Sequence, residues 1–215
     1  RCRAAEFPPA GVEMATCAAP GRLEVRLETT AGPRALRQEA GERFRALFRH
    51  AIYAEERKEP VEAVSERLRA AGRTVAAAES CTGGLFGAAL TERAGSSDLY
   101  RGGVIAYSNE AKQSLLGVSA DLLADAGAVS EPVARAMAES VRRLFDADYG
   151  VGITGVAGPG GGSDEKPVGL TFLALADCEA TSVRRRVFPG TRDVNRVFAV
   201  QTALDMLLDR LPESS

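Results

Sequence analysis

Apolar and polar positions follow two different regimes along this chain, and the change falls near residue 60. Residues 21–29 alternate apolar and charged side chains, the period of a half-buried strand. From Pro33 to Phe48, the apolar residues Ala35, Leu36, Ala40, Phe44, Leu47 and Phe48 recur at helical spacing among arginines and glutamates. The polar run 55–60 ends in Pro60, a residue suited to a helix's first turn, and is predicted to be a solvated linker. Beyond it, helix and strand patterns take turns. The spacing predicts helices over 61–71, 84–93, 110–116, 119–126 (closed by Gly127), 131–145 and 193–211. Strands are predicted over 74–78, 103–108, 149–154, 169–176 and 182–188. Such alternation implies an α/β fold, a three-layer α/β/α sandwich. The last two strands are joined too tightly to run parallel, so the sheet must be mixed. The expected organisation is a small α+β unit over 1–59, followed by an α/β domain over 60–215.

The chain has 215 residues, 45% hydrophobic and 26% charged, enough for one medium domain and something small beside it. A net charge of −2 gives no general attraction to nucleic acid or anionic membrane. No apolar run approaches the roughly 18 residues of a membrane span. The cysteines Cys2, Cys17, Cys81 and Cys178 are scattered with no Cys-x-x-Cys pair. That disfavours a disulfide framework or zinc site and points to a reducing compartment, the cytoplasm. There is no tryptophan and a single histidine, His50, far in sequence from every glycine-rich stretch. An acyl-transfer site here must therefore find its base elsewhere. The chain opens at Arg1 and is expected to be a piece of a longer protein or a processed form.

Three stretches carry chemistry. Residues 78–84, Ala-Glu-Ser-Cys-Thr-Gly-Gly, lie between a buried strand and a helix, where α/β sheets bind ligands. The helix to follow offers unpaired N–H groups for an oxyanion or phosphate, and Ser80 and Thr82 supply hydroxyls. A lone serine there would simply cap the helix, but a cap needs no second glycine. Residues 152–162 form a glycine-rich loop directly after a strand. Gly150, Gly152 and Gly155 match the dinucleotide G-x-G-x-x-G spacing, yet the first two fall inside the strand and no helix can open after them. No Gly-Lys-Ser/Thr follows, so a P-loop fails too. What remains is an anion-binding nest or a mobile surface loop, and Lys166 with the Thr154 hydroxyl favours binding. In the third stretch, 105–112, Tyr107 ends a strand, Asn109 is expected to cap a helix and Lys112 lies in its first turn. A cation at a helix N-terminus is disfavoured, which lowers a lysine pKa towards that of a general base. Ser–Lys is an established substitute for Ser–His–Asp. Arg192, opening the last helix, suits a phosphate or a carboxylate. Asp164 and Glu165 lack a third hard ligand and are read as solvated.

Together these stretches resemble the C-terminal domain of the CinA (competence/damage-inducible) family, also found alone as a nicotinamide-nucleotide amidase. The matching motifs are 78–84, Tyr-Ser-Asn-Glu-Ala-Lys at 107–112, Ala-Val-Ser at 128–130, Thr-Gly-Val-Ala-Gly-Pro-Gly-Gly-Gly at 154–162 and Lys-Pro-Val-Gly at 166–169. The resemblance implies hydrolysis of nicotinamide mononucleotide to nicotinate mononucleotide and ammonia, without cofactor or metal, by a cytoplasmic homodimer. It places catalytic roles on Ser80, Tyr107, Lys112 and Thr154, with Cys81 as scaffold. Glu79, Thr82, Gly83, Gly84, Asn109, Gly155, Gly158, Gly160, Gly161 and Arg192 are expected to line the substrate site. It also makes residues 1–59 similar to the KH-like linker that follows a molybdopterin-binding-like domain in full-length members. No Gly-x-x-Gly clamp supports nucleic-acid binding there. A nucleotide-binding regulatory module in competence or DNA repair, with a vestigial site, is the alternative; the presence of all four catalytic residues argues against it.

Overall fold

The computed structural model describes residues 7–19, 22–29, 34–48 and 51–212. The chain divides into two compact units, Arg1–Lys58 and Glu59–Ser215. The first contains an antiparallel hairpin of β1 (Glu13–Ala19) and β2 (Arg22–Glu28), with Glu13 opposite Glu28 and Ala19 opposite Arg22. Strand β1 is not foreshadowed by the sequence pattern: six of its seven positions are exposed, so its side chains show no alternation. Helix α1 (Arg34–Phe48) follows; Ala40 is fully buried and Phe44 packs against Phe7 and Phe48. Cys2, Pro33 and His50 lie outside the described residues.

In the second unit the order is α2 (Pro60–Ala70), β3 (Val75–Glu79), α3 (Leu85–Thr91), β4 (Tyr100–Ile105), α4 (Asn109–Leu116), α5 (Ala120–Ala126), α6 (Glu131–Leu144), β5 (Tyr149–Gly155), β6 (Leu170–Ala176), β7 (Thr181–Val187) and α7 (Arg192–Arg210). The sheet runs β4-β3-β5-β6-β7; β3, β4 and β5 are parallel, and β6 and β7 are antiparallel to their neighbours. The α/β class and the mixed sheet are as the pattern predicts. Helices α4, α5 and α6 cover one face, where Ala76 and Ala78 of β3 meet Leu116, Leu123, Val133, Met137 and Val141. Helices α2, α3 and α7 form the other layer. No helix among the described residues is long and apolar enough to cross a membrane.

The glycines that mimic a dinucleotide fingerprint have a packing reason. Gly150 and Gly152 face α6 so closely that a Cβ would lie 2.2 Å from the Ala138 carbonyl oxygen or 2.4 Å from that of Ala134. They let the central helix sit directly on β5. Strand β4 begins three residues earlier than expected and ends at Ile105, because its interior Gly102 and Gly103 hide the strand signal. Tyr107 therefore lies beyond the strand, in the loop that enters α4. The three parallel strands deliver their carboxyl ends, and with them residues 80–84, 106–108 and 156 onward, to the same edge of the sheet.

Candidate active site

Ser80 follows directly from β3, and its N–H donates to the Ile153 carbonyl (2.9 Å), tying it to the end of β5. Its hydroxyl is 3.1 Å from Lys112 Nζ. Lys112 is 1% exposed, and its amine also donates to the carbonyls of Ala106 (2.9 Å) and Tyr107 (3.4 Å). Among the described residues no carboxylate forms an ion pair with it. Burial pushes its pKa below the ordinary lysine value. The cause is desolvation. The cap of α4 is Ser108, whose Oγ accepts from the Ala111 N–H (3.1 Å); the expected cap, Asn109, is the first helical residue and is exposed.

The turn after Ser80 differs from expectation in one consequential way. Glu79, 2% exposed, turns its carboxylate onto the start of α3 and accepts from the N–H groups of Gly84 (3.1 Å), Phe86 (3.1 Å) and Gly87 (2.9 Å). The helix N-terminus that the sequence offered to a ligand is thus occupied by the protein's own anion, which suits the dipole there. Glu79 thus anchors this turn, where it is expected from the sequence to line the substrate site. Gly83 and Gly84 have φ of +60° and +94°, so left-handed backbone is what requires them. The Gly83 N–H donates to the Ser80 carbonyl and the Leu85 N–H to that of Thr82. The N–H groups of Cys81 and Thr82 donate to no backbone carbonyl among the described residues, and the Cys81 N–H faces its own thiol. The Thr82 side chain is fully buried, and its hydroxyl has no partner among the described residues. Beside Ser80, the buried Cys81 thiol is pushed up to about 11 by desolvation.

Thr154 is 1% exposed, and its hydroxyl donates to the Ala128 carbonyl (2.8 Å), joining β5 to the 128–130 segment. Tyr107, 59% exposed, receives a hydrogen bond on its hydroxyl from Arg192 Nη2 (3.0 Å). Arg192 Nη1 donates to the Gly158 carbonyl (2.8 Å), so one guanidinium spans the Tyr107 loop and the glycine loop. Within the latter, Gly155 packs against β6, where a Cβ would meet the Leu170 carbonyl oxygen at 2.7 Å. Gly158 and Gly161 adopt φ of +95° and +81°. Gly160 is exposed, with open space around it, as are Asp164 and Glu165 on the surface. Among the described residues no group of His, Cys, Asp and Glu could hold a metal ion.

Helix α7 supplies residues that the sequence pattern did not single out. Asn195 donates to the Ala157 carbonyl (3.1 Å) and accepts from the Gly190 N–H (2.9 Å). Arg196 Nη2 donates to the Thr82 carbonyl (2.7 Å). The available signal was the spacing: Arg192, Asn195 and Arg196 share one face of the helix's first turns, next to residues buried in the core.

The description "CinA C-terminal domain" fits residues 57–211. A CinA-like protein of Anaeromyxobacter dehalogenans is 48% identical over 181 residues, 83% of this chain and 44% of that protein. One from Geobacter sulfurreducens is 51% identical over 149 residues, 69% and 36% of the two chains. The chain thus spans less than half the length of these relatives. Among solved structures, the competence/damage inducible protein CihA of Agrobacterium tumefaciens is 40% identical with a TM-score of 0.66, covering 72% of this chain and 97% of that one. A CinA superfamily protein of Escherichia coli gives 31% and 0.68, covering 75% and 97%. Motifs, sheet order and relatives agree, and the chain belongs to the CinA family through its C-terminal domain.

Proposed function

We propose that the second unit is an amidohydrolase that converts nicotinamide mononucleotide to nicotinate mononucleotide and ammonia with Ser80 and Lys112. One observation carries this reading: a serine hydroxyl 3.1 Å from a buried lysine amine that has no carboxylate partner among the described residues. A neutral amine has two N–H bonds and one lone pair. With the N–H bonds directed to the carbonyls of Ala106 and Tyr107, the lone pair is left for the Ser80 proton. Lys112 then acts as general base, and burial favours the neutral form that this requires.

Ser80 Oγ attacks the carboxamide carbon while its proton passes to Lys112 Nζ. The negative charge on the carbonyl oxygen is met by the N–H groups of Cys81 and Thr82, which donate to no backbone carbonyl among the described residues. Collapse breaks the C–N bond, and the lysine returns its proton to the departing ammonia. Water then releases the acid from Ser80; activation of that water by Ser80 and Lys112, with no acyl-enzyme, uses the same groups. Arg192 is the substrate-facing cation: its guanidinium, exposed at the rim between Tyr107 and Gly158, suits the nucleotide phosphate. Thr154 holds the floor of the site through Ala128. The reading includes a cytoplasmic homodimer. Measurement of ammonia release from nicotinamide mononucleotide by the purified chain tests it.

A further inference from the structure

We propose that Arg196 is a positioning residue that fixes the turn after Ser80, and through it the N–H groups of Cys81 and Thr82 that face the developing oxyanion. The inference rests on the amidase reading for its substrate and on geometry for the rest. Thr82 is fully buried, yet its hydroxyl has no partner among the described residues, so the side chain gives the turn no polar hold there. The hold comes through its carbonyl, which accepts from Arg196 Nη2 at 2.7 Å and from the Leu85 N–H at 3.3 Å. The guanidinium also lies 3.8 Å from where a Cβ on Gly83 would sit, against the left-handed part of the turn. Arg196 Nε is itself buried without a partner among the described residues, so the guanidinium is held here at the cost of one unmet donor. Among the described residues the acid within ion-pair range is Asp193, 3.9 Å away and 89% exposed. A group kept under those terms is better explained by the turn it holds than by the stability it adds. Helix α7 thereby grips all three loops of the site: Arg196 the Ser80 turn, Arg192 the Tyr107 loop and Asn195 the glycine loop.

The test compares the parent chain with Arg196→Gln and Arg196→Lys by two readouts. One is kcat and KM for ammonia release from nicotinamide mononucleotide. The other is the rate at which an alkyl fluorophosphonate modifies Ser80, in which the Oγ–P bond forms, fluoride leaves and the hydroxyl proton passes to Lys112. Arg196→Gln is expected to lower kcat roughly 10- to 100-fold with little change in KM, and to slow labelling in proportion. Arg196→Lys keeps one donor and is expected to recover part of both, which a general loss of stability would not produce. If the glutamine variant fails to fold, the lysine variant carries the comparison, with reduced kcat at parental KM expected. Parental kcat in the folded variants overturns the proposal. Absence of ammonia release by the parent would count against the amidase reading alone. Labelling then decides the role of Arg196, and equal rates in parent and variants, including none in either, overturn it.

Discussion

Lys112 Nζ lies 3.1 Å from Ser80 Oγ, and each residue is held there by a different part of the sheet. Ser80 is set by the end of β3 and by its hydrogen bond to Ile153 of β5. Lys112 reaches back from α4 to the carbonyls of Ala106 and Tyr107, just past β4. The pair is thus assembled by three parallel strands, which is why their common carboxyl edge is where the chemistry collects.

The anchoring role of Glu79 predicts a large stability effect from one residue. Glu79→Ala leaves the N–H groups of Gly84, Phe86 and Gly87 without their acceptor. The expected loss is on the order of 2–4 kcal/mol in urea denaturation at pH 7, with Glu79→Gln between that variant and the parent. Parental stability in the alanine variant would show that the carboxylate does not hold the turn.

Cys81 adjoins the proposed nucleophile but is predicted to be chemically quiet. Its thiol, pushed up to about 11 by burial, is protonated at neutral pH, and the thiolate is the reactive form. Cys81→Ser is expected to keep at least about a third of the parental kcat, within the small cost of most tolerated substitutions. Alkylation by iodoacetamide at pH 7.5, mapped by mass spectrometry, is expected at the exposed Cys178 well before Cys81. Complete loss of activity in Cys81→Ser would move the nucleophile to the thiol.

The pH dependence follows from the lowered pKa of Lys112. Below that pKa the ammonium cannot accept the Ser80 proton; above it the neutral amine can. kcat/KM should therefore rise with pH through a midpoint below the ~10.4 of a free lysine. Cys81 at about 11 and Tyr100 at about 12 titrate on the alkaline side of it. Since His50 is the one histidine of the chain, His50→Gln is the control, and the rise is expected to survive in it. Disappearance of the rise in His50→Gln would remove Lys112 as the titrating base.

Much of this was legible in the sequence because local chemistry and global fold agree. The period of α6, with Val133, Ala134, Met137, Ala138 and Val141 all buried, announces a central helix. Gly127 and Ser119 mark the ends of α5 as cap residues do. The motif residues Ser80 and Lys112, 32 positions apart, are brought into contact. What escaped was set by tertiary partners. The pattern of β4 is masked by Gly102 and Gly103, and β1 is exposed along nearly its whole length. The destination of the Glu79 carboxylate depends on a turn with two left-handed glycines, and Arg196 acts on residues 114 positions away. Neither relationship leaves a periodic trace.

The most direct test of the Ser80–Lys112 account is ammonia release from nicotinamide mononucleotide at pH 8 by the parent, Ser80→Ala and Lys112→Met, each first shown to melt cooperatively. The account predicts steady release by the parent and a reduction of at least ~10²-fold in each variant, as expected when a nucleophile or its base is removed. Release at the parental rate by a folded Ser80→Ala or Lys112→Met protein would contradict it.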